Sequence, residues 1–324
     1  MTSSNWQPTA SIDTLKQRAK IIAQIRQFFA DRNVTEVETP QLALHGVSDP
    51  YLVSFKSRYV GPESAEGRDL YLQTSPEYAM KRLLCAGSGC IYQLAKAYRN
   101  EEGGRLHNPE FTMLEWYRIG FDHFALMDEM AELLQGVLGC DEPERMSYQK
   151  AFMRYLNCDP LAESLESIRQ RVMDLGVADY AAEETDKDAL LQLLFNFCIE
   201  PEIGQQQPCF IYHFPASQAA LAKIHSVDPR VAERFEVYFK GIELANGFHE
   251  LADAHEQAER FAADNAKRLA LGVEMMQPDQ NLLSALEHGL PDCAGVALGI
   301  DRLIMQALGK TQLQDVMAFT VKNG

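Results

Sequence analysis

Long apolar runs are absent: nowhere do about 18 apolar residues follow one another, which excludes a membrane-spanning helix. The start, Met1 to Pro8, has no basic stretch leading into an apolar one, so no secretory signal is expected there. Cysteine is sparse and unpatterned. The seven present show no metal-ligand spacing, and their odd count argues against a disulfide framework, so a reduced, cytoplasmic setting is expected. Basic residues never run beyond pairs such as Lys81-Arg82, and 46 acids against 30 Lys and Arg leave a net charge of −16. Phosphate neutralisation supplies most of the affinity of nucleic-acid binders, so this balance weighs against stable nucleic-acid binding. Repeats, low-complexity tracts and long linkers are missing as well.

What is present is ordinary globular material, 324 residues long and able to bury a full core. Leu15, Ile22, Ile25 and Phe29 form one stripe of a helix from Ser11 to about Ala30, with Ser11 or Asp13 as its cap. Val34 to Pro40 reads as a short strand stopped by proline. Residues 50–72 read as strands around a turn at Gly61-Pro62. A helix runs from Ser75 to about Ala86, with Pro76 in its first turn. Ile91 to Arg99 and Glu110 to Tyr117 are strands of a long-looped hairpin. Residues 121–200 are mostly helical, broken near Pro143 and Pro160, with an acidic loop or helix start at Glu183 to Asp188. Strand character returns at Pro208 to Phe214 and Arg234 to Leu251. A polar helix covers His255 to about Leu271, and Gly295 to Leu308 is a strand running into a helix. This order predicts a single α+β domain over 1–324.

Three constellations carry chemistry. On the hairpin, period-2 alternation puts Arg99 with Glu101 on one face, and Phe111, Met113, Glu115 and Tyr117 on one face of the return strand. An arginine that forks onto a phosphate, a ring that stacks on a base and a loop at His107-Asn108 suit a nucleotide. Taken alone, the same residues read as an exposed hairpin with a cross-strand ion pair. The second constellation is a hairpin turning at Lys240-Gly241, which places Tyr238 opposite Glu243 and sets Glu236 and Glu243 on one face. With no basic neighbour nearby in sequence, this pair suits Mg²⁺, and a bulge at Asn246-Gly247 would return Glu250 to that face. A half-exposed hairpin with solvated acids is the plain alternative. The third, Gly295 to Arg302, is a glycine-bearing strand running into a helix start that favours anions, or else a tightly packed buried strand. Thr74-Ser-Pro-Glu77 adds an acid at a helix start, where it is either an ordinary cap or a partner for a ligand ammonium.

Together and in this order, these segments resemble the three signature motifs of class II aminoacyl-tRNA synthetases. The first helix, strand and Pro40 resemble motif 1, which in that class builds a homodimer interface. Tyr98-Arg-Asn-Glu101 with His107-Asn-Pro-Glu-Phe111-Thr-Met-Leu-Glu115 resembles motif 2, and Gly295 to Arg302 motif 3. Thr74 to Glu77, Asn108 to Tyr117 and Asn246 to Glu250 are most similar to lysyl-tRNA synthetases. The resemblance implies a mainly antiparallel sheet flanked by helices, with ATP and Mg²⁺ as cofactors. It implies that Arg99 contacts the α-phosphate, that Glu101 with Asn108 reads adenine, and that Phe111 and Arg302 sandwich the base. Asn100, His107, Leu244 and Gly299 complete the ATP site, and Glu236 and Glu243 hold the metal. Glu77 faces the amino end of the substrate and Tyr117 with Glu250 its distal ammonium. Ser75, Pro76, Glu115, Asn246, Phe248 and Ala297 line the same pocket.

Two departures narrow this further. Motif 1 begins almost at once, without the anticodon-binding barrel of lysyl-tRNA synthetases, and Ala297 and Ala245 stand where those enzymes have glycine. Both features are similar to truncated lysyl-tRNA synthetase paralogues that join (R)-β-lysine to a lysine ε-amino group of elongation factor P, and residues 121–200 resemble their helical insertion. The resemblance implies elongation factor P as partner, a homodimer, and no membrane. A ligase making a small-molecule amide, a truncated enzyme acting on tRNA, and a catalytically dead regulatory paralogue stand as alternatives.

Overall fold

The computed structural model describes residues 6–62 and 64–324; residues 1–5 and Glu63, which fall in the N-terminal stretch and beside the Gly61-Pro62 turn read above, lie outside it. Helix α1, Ile12–Ala30, starts where the Ser11 hydroxyl accepts from Thr14 N–H, and it buries Ile25 and Phe29 completely. Strands β1 (Thr35–Glu36), β2 (Leu42–Ala43), β3 (Lys56–Gly61) and β4 (Ser64–Leu72) follow. Helix α2, Glu77–Cys85, begins after Pro76, which serves as its N-cap rather than sitting inside its first turn. Strands β5 (Ile91–Tyr98) and β6 (Glu110–Ile119) form the long-looped hairpin.

Then come α3 (His123–Leu138), β7 (Glu144–Ser147), α4 (Tyr148–Leu156), α5 (Leu165–Met173), α6 (Ala178–Glu183) and α7 (Lys187–Leu194). Strands β8 (Cys209–Tyr212), β9 (Arg234–Tyr238) and β10 (Glu243–His249) lead to α8 (Ala254–Ala270), α9 (Gln280–Gly289), β11 (Cys293–Gly299) and α10 (Ile300–Ala307). Strands β2 and β7 and helix α9 escaped the sequence reading. Strand β7 is four residues next to Pro143, too short to show a period, and is fixed by parallel pairing with β8. Helix α9, capped by Asp279, carries its two buried leucines, Leu282 and Leu286, at a single i, i+4 step. Among the described residues, no helix is long and apolar enough to cross a membrane.

The chain divides into two compact units, residues 1–121 with 251–324, and residues 122–250. The first holds strands in the order β1-β5-β6-β11 and a separate sheet β2-β4-β3. Its pairings are antiparallel except β1 with β5. Alternation on β6 sends Trp116 to the core, where Phe29 stacks on Tyr92 at 4.4 Å and meets Trp116 at 5.4 Å. Glu115 and Tyr117 therefore point to the other face. The second unit orders its strands β10-β9-β8-β7. Its helices close over Tyr148, Phe152, Phe195 and Phe214, all buried. Each such ring contributes about 1.5–3 kcal/mol through apolar burial.

Candidate active site

In the first unit, the register places Glu115 between Gln93 of β5 and Ala297 of β11, and Tyr117 between Ile91 and Gly295. Glu115 is only 2% exposed, and an ion so buried needs its lone pairs satisfied. Tyr117 donates to Oε1 at 2.6 Å and Ser75 donates to Oε2 at 2.7 Å. The Ser75 hydroxyl also accepts from Glu77 N–H at 3.0 Å, which ties the helix start to the strand. Glu77 in turn accepts from Lys81, a buried lysine that sequence reasoning passed over because Lys81-Arg82 looked like surface charge. Gly295, Ala297 and Gly299 keep this face shallow, since only small side chains stand beside the acid and the phenol.

The loop of the hairpin carries the expected nucleotide residues, with one correction. Strand β5 ends at Tyr98, and Glu101 sits in a turn at φ +68° with its N–H on the Asn100 side chain, so Arg99 and Glu101 do not share a strand face. Arg99 lies 5.2 Å from the Phe111 ring centroid and 3.6 Å from Glu102. Its Nε is buried with no hydrogen-bond partner, a donor held ready for an anion. Asn108 is buried and spends its amide on Glu110 C=O and its oxygen on Val321 N–H, so it fixes the end of the loop. Arg302 donates to His107 Nε2 at 2.7 Å and to Leu106 C=O at 3.3 Å. Burial, and then the Arg302 charge, hold the His107 pKa below its usual 6.5. Asp301, unassigned from sequence, anchors the start of α10. It accepts from Thr112 N–H at 2.7 Å and pairs with Arg18 at 2.6 Å.

In the second unit, Lys240 and Gly241 have φ of +50° and +67° and form the expected two-residue turn, with Phe239 and Ile242 exchanging both backbone hydrogen bonds. Tyr238 pairs with Glu243 as the reading required. The bulge falls at Leu244, between Glu243 and Ala245, and not at Asn246-Gly247. From there Asn246 pairs with Glu236 and Phe248 with Arg234, so Glu243, Asn246 and Phe248 line one face, while Glu250 lies just past the end of β10, bridged to Ala222. Ala245 pairs with Val237 on the opposite face and is 2% exposed, so it does not line that face with Asn246 and Phe248.

A second correction concerns charge: Glu236 does have a basic neighbour. Arg234 pairs with Oε1 of Glu236 and donates to Asn246 Oδ1 at 3.2 Å, while Tyr238 donates to Oε2. The signal was in the sequence, since residues 234, 236 and 238 alternate onto one face. Burial, and then the Glu236 charge, push the Tyr238 pKa well above its ordinary value, so the phenol stays a donor. Two carboxylates on one face are hard oxygen donors of the kind Mg²⁺ takes, with Arg234 and Tyr238 competing for those of Glu236.

Residues 6–323 match the model of the family described as tRNA synthetases class II (D, K and N). The chain is 63% identical, over 98% of its length and 98% of the relative's, to an elongation factor P--(R)-beta-lysine ligase of Vibrio cholerae. A protein of the same name from Photorhabdus laumondii is 58% identical, again over 98% of both chains. The one from Vibrio vulnificus is 60% identical at the same coverage. The motif residues on both faces and the match along nearly the whole length agree, and the chain belongs to the class II tRNA synthetase family of D, K and N type.

Proposed function

We propose that this chain uses ATP to activate (R)-β-lysine as its adenylate and passes the β-lysyl group to a lysine ε-amino group of elongation factor P. The observation that carries this reading is 63% identity over 98% of both chains to a relative named for that ligation. The chemistry on the two faces suits it. The family model running over residues 6–323 supports treating the whole chain as one catalytic domain. The net charge of −16 weighs against stable nucleic-acid binding, and a cytoplasmic setting goes with a translation factor as acceptor.

The residues take the following parts. Arg99 offers its buried, unpartnered Nε and its guanidinium fork to the α-phosphate. Phe111 and Arg302 flank the adenine, Asn100, Glu101 and His107 border it, and Asn108 holds the loop end beneath. Gly299 and Leu244 give close backbone approach. Glu77 takes the amino group of the substrate, with Ser75 and Pro76 shaping that end. By their positions in the motifs, Tyr117 of the first unit and Glu250 of the second are each proposed for the distal ammonium, which needs buried carboxylate to leave water. Glu115 and Ala297 of the first unit, and Asn246 and Phe248 of the second, are the remaining residues proposed for the substrate. Glu236 and Glu243 would hold Mg²⁺, which supplies charge neutralisation for the phosphates when bound.

No covalent catalyst is required. The substrate carboxylate oxygen attacks the α-phosphorus, the bond to the β-phosphate oxygen breaks, and pyrophosphate leaves. The acceptor amine then attacks the acyl carbon, the amide bond forms, AMP departs, and the amine releases a proton. The protein contributes alignment of the two reacting groups and fixed positive charge where negative charge gathers.

ATP–pyrophosphate exchange, run with (R)-β-lysine, α-lysine and aspartate, tests the activation half. Mass spectrometry of elongation factor P after a complete reaction tests the transfer half. Exchange with (R)-β-lysine and a β-lysyl increment on elongation factor P are expected. Exchange with none of these, or transfer to tRNA or a small amine in place of the protein, would overturn the reading.

A further inference from the structure

Within the second unit, away from the Glu236 face, lies a cluster of imidazoles that the ligation does not use. Three backbone hydrogen bonds set it up. Lys223 N–H donates to His249 C=O, Glu233 N–H to Lys223 C=O, and His249 N–H to Glu233 C=O, at 2.8 to 2.9 Å. These bring Lys223, Glu233 and His249 abreast on neighbouring segments. His123, first residue of α3 and 3% exposed, enters from the side. Its Nδ1 is buried without a hydrogen-bond partner and lies 3.9 Å from Glu233 Oε2. His249 Nδ1 is hydrogen-bonded to that same carboxylate oxygen.

We propose that His123, Glu233 and His249 form a binding site for a divalent transition-metal ion of the zinc type, separate from the Mg²⁺ site. The three donor atoms lie within 4.8 Å of one another. Bonds of about 2.0–2.1 Å at tetrahedral angles put ligand atoms about 3.4 Å apart. That spacing falls between the His249–Glu233 hydrogen bond and the 3.9 Å from His123 to Glu233. Two imidazoles and one carboxylate select zinc-like ions over Mg²⁺, which demands oxygen donors. Three protein ligands leave a fourth position open.

The surroundings behave as outer partners of such a site. His123 Nε2 lies 3.0 Å from Nε2 of His213, and a donated proton there would leave Nδ1 as a lone pair facing the carboxylate. Lys223 works in the opposite direction. Its Nζ is 3.0 Å from His249 Nε2, which places the ring proton on Nδ1, where the metal must bind. Occupancy requires that proton to leave and Nε2 to carry one, against an adjacent ammonium. Lys223 is therefore an antagonist of metal binding, which a purely structural lysine would not be.

The test uses untagged, chelator-treated full-length protein titrated with Co²⁺ and followed by its visible d–d absorption, with Zn²⁺ as competitor and excess Mg²⁺ present. One Co²⁺ per chain in a tetrahedral environment, displaced by Zn²⁺ and not by Mg²⁺, is expected. His123→Gln and His249→Gln should each weaken binding by about tenfold or more, and Lys223→Met should tighten it. Should the histidine variants fail to fold, Lys223→Met alone decides. Absence of a stoichiometric Co²⁺ band, histidine variants that bind as wild type does, or a Lys223→Met variant with unchanged or weaker affinity would each overturn the site.

Discussion

Lys81 Nζ donates to Oε1 of Glu77 at 2.8 Å from one helical turn further along α2, and only 1% of the lysine side chain reaches solvent. The acid proposed for the amino end of the substrate is thus already half neutralised from behind. It keeps one oxygen for the ligand, and its position is fixed by the same contact and by its backbone bond to Ser75. Removing one partner of a buried pair strands the other. Glu77 is 17% exposed, so Lys81→Met should cost about 3 kcal/mol, the lower end for such pairs. Adding Glu77→Gln to that variant should recover about half of the loss, as a urea-unfolding double-mutant cycle would show. If the two losses simply add, the pair is not coupled. Glu77→Gln alone should raise KM for the lysine substrate in the exchange assay.

Glu243 and Glu236 are not equivalent, although the sequence presents them as a pair. Arg234 and Tyr238 occupy both oxygens of Glu236, so much of its charge is met from within the protein. In the proposed metal site, Glu236 therefore brings little uncompensated charge of its own. Glu243→Gln should lower pyrophosphate exchange by at least about a hundredfold, since metal-borne charge stabilisation is worth several kcal/mol. Arg234→Met should instead shift the Mg²⁺ dependence to lower concentration, because it removes the cation competing for Glu236. A Glu243→Gln enzyme close to wild type in exchange would remove that residue from the metal site.

A homodimer is expected, and its apolar contribution is narrower than the sequence stripe suggested. Ile25 and Phe29 are filled from within the chain, leaving Ile12 at 58% exposed, with Leu42 and Leu44 at 48% and 47%. Permanent interfaces bury about 2,000 Å² or more, so such a dimer would persist at micromolar concentration. Sedimentation equilibrium should give twice 36.5 kDa, and a single species at 36.5 kDa would count against the dimer.

His107 gives the acid side of the pH profile. With its pKa held below 6.5, the ring is neutral at pH 7 and accepts from Arg302. As pH falls through that lowered value the ring gains a proton, ceases to accept, and faces Arg302 as a second cation. Exchange activity should fall with a midpoint below 6.5, and His107→Gln, which keeps an acceptor at every pH, should flatten that limb. Stability has the same sign. The unfolded chain binds the proton first as pH drops below 6.5, so the folded state loses ground there and regains it above. An acid limb unchanged in His107→Gln would assign it to another group.

The alternation on β6, β9 and β10, the turn at Lys240-Gly241 and the helix capped by Ser11 were legible because each depends on neighbours within a few residues. What escaped depends on distant partners. Nothing local marks Lys81 as buried, or Asp301 as the anchor that fixes α10 to Thr112 and Arg18. The bulge moved two residues because glycine at 247 permits an irregularity without requiring one, whereas pairing on β9 decides where it falls. Asn108 offered two polar atoms to a ligand on paper, yet the backbone of Val321 claims one of them from the far end of the chain.

Ala297 is expected to govern the choice between lysine isomers. Its methyl is on β11 directly opposite Glu115, flanked on the same face by Gly295 and Gly299, so it is the largest β11 side chain beside the acid. If the α-amino group of an α-amino acid lies there, the methyl crowds it, whereas a β-amino group one carbon along escapes. The distal ammonium is common to both isomers, so whatever holds it gives affinity without discrimination. One methyl of overpacking costs about 1–3 kcal/mol, which corresponds to roughly a 5- to 150-fold preference. Ala297→Gly should therefore raise kcat/KM for α-lysine far more than for (R)-β-lysine. Ala245 supplies the control, because it pairs with Val237 on the face away from Asn246 and Phe248. Ala245→Gly should leave the ratio of the two isomers unchanged, whatever it costs in stability. The measurement is that ratio in wild type and both variants. A ratio that moves with Ala245 and not with Ala297 would mean that selectivity does not come from the β11 methyl.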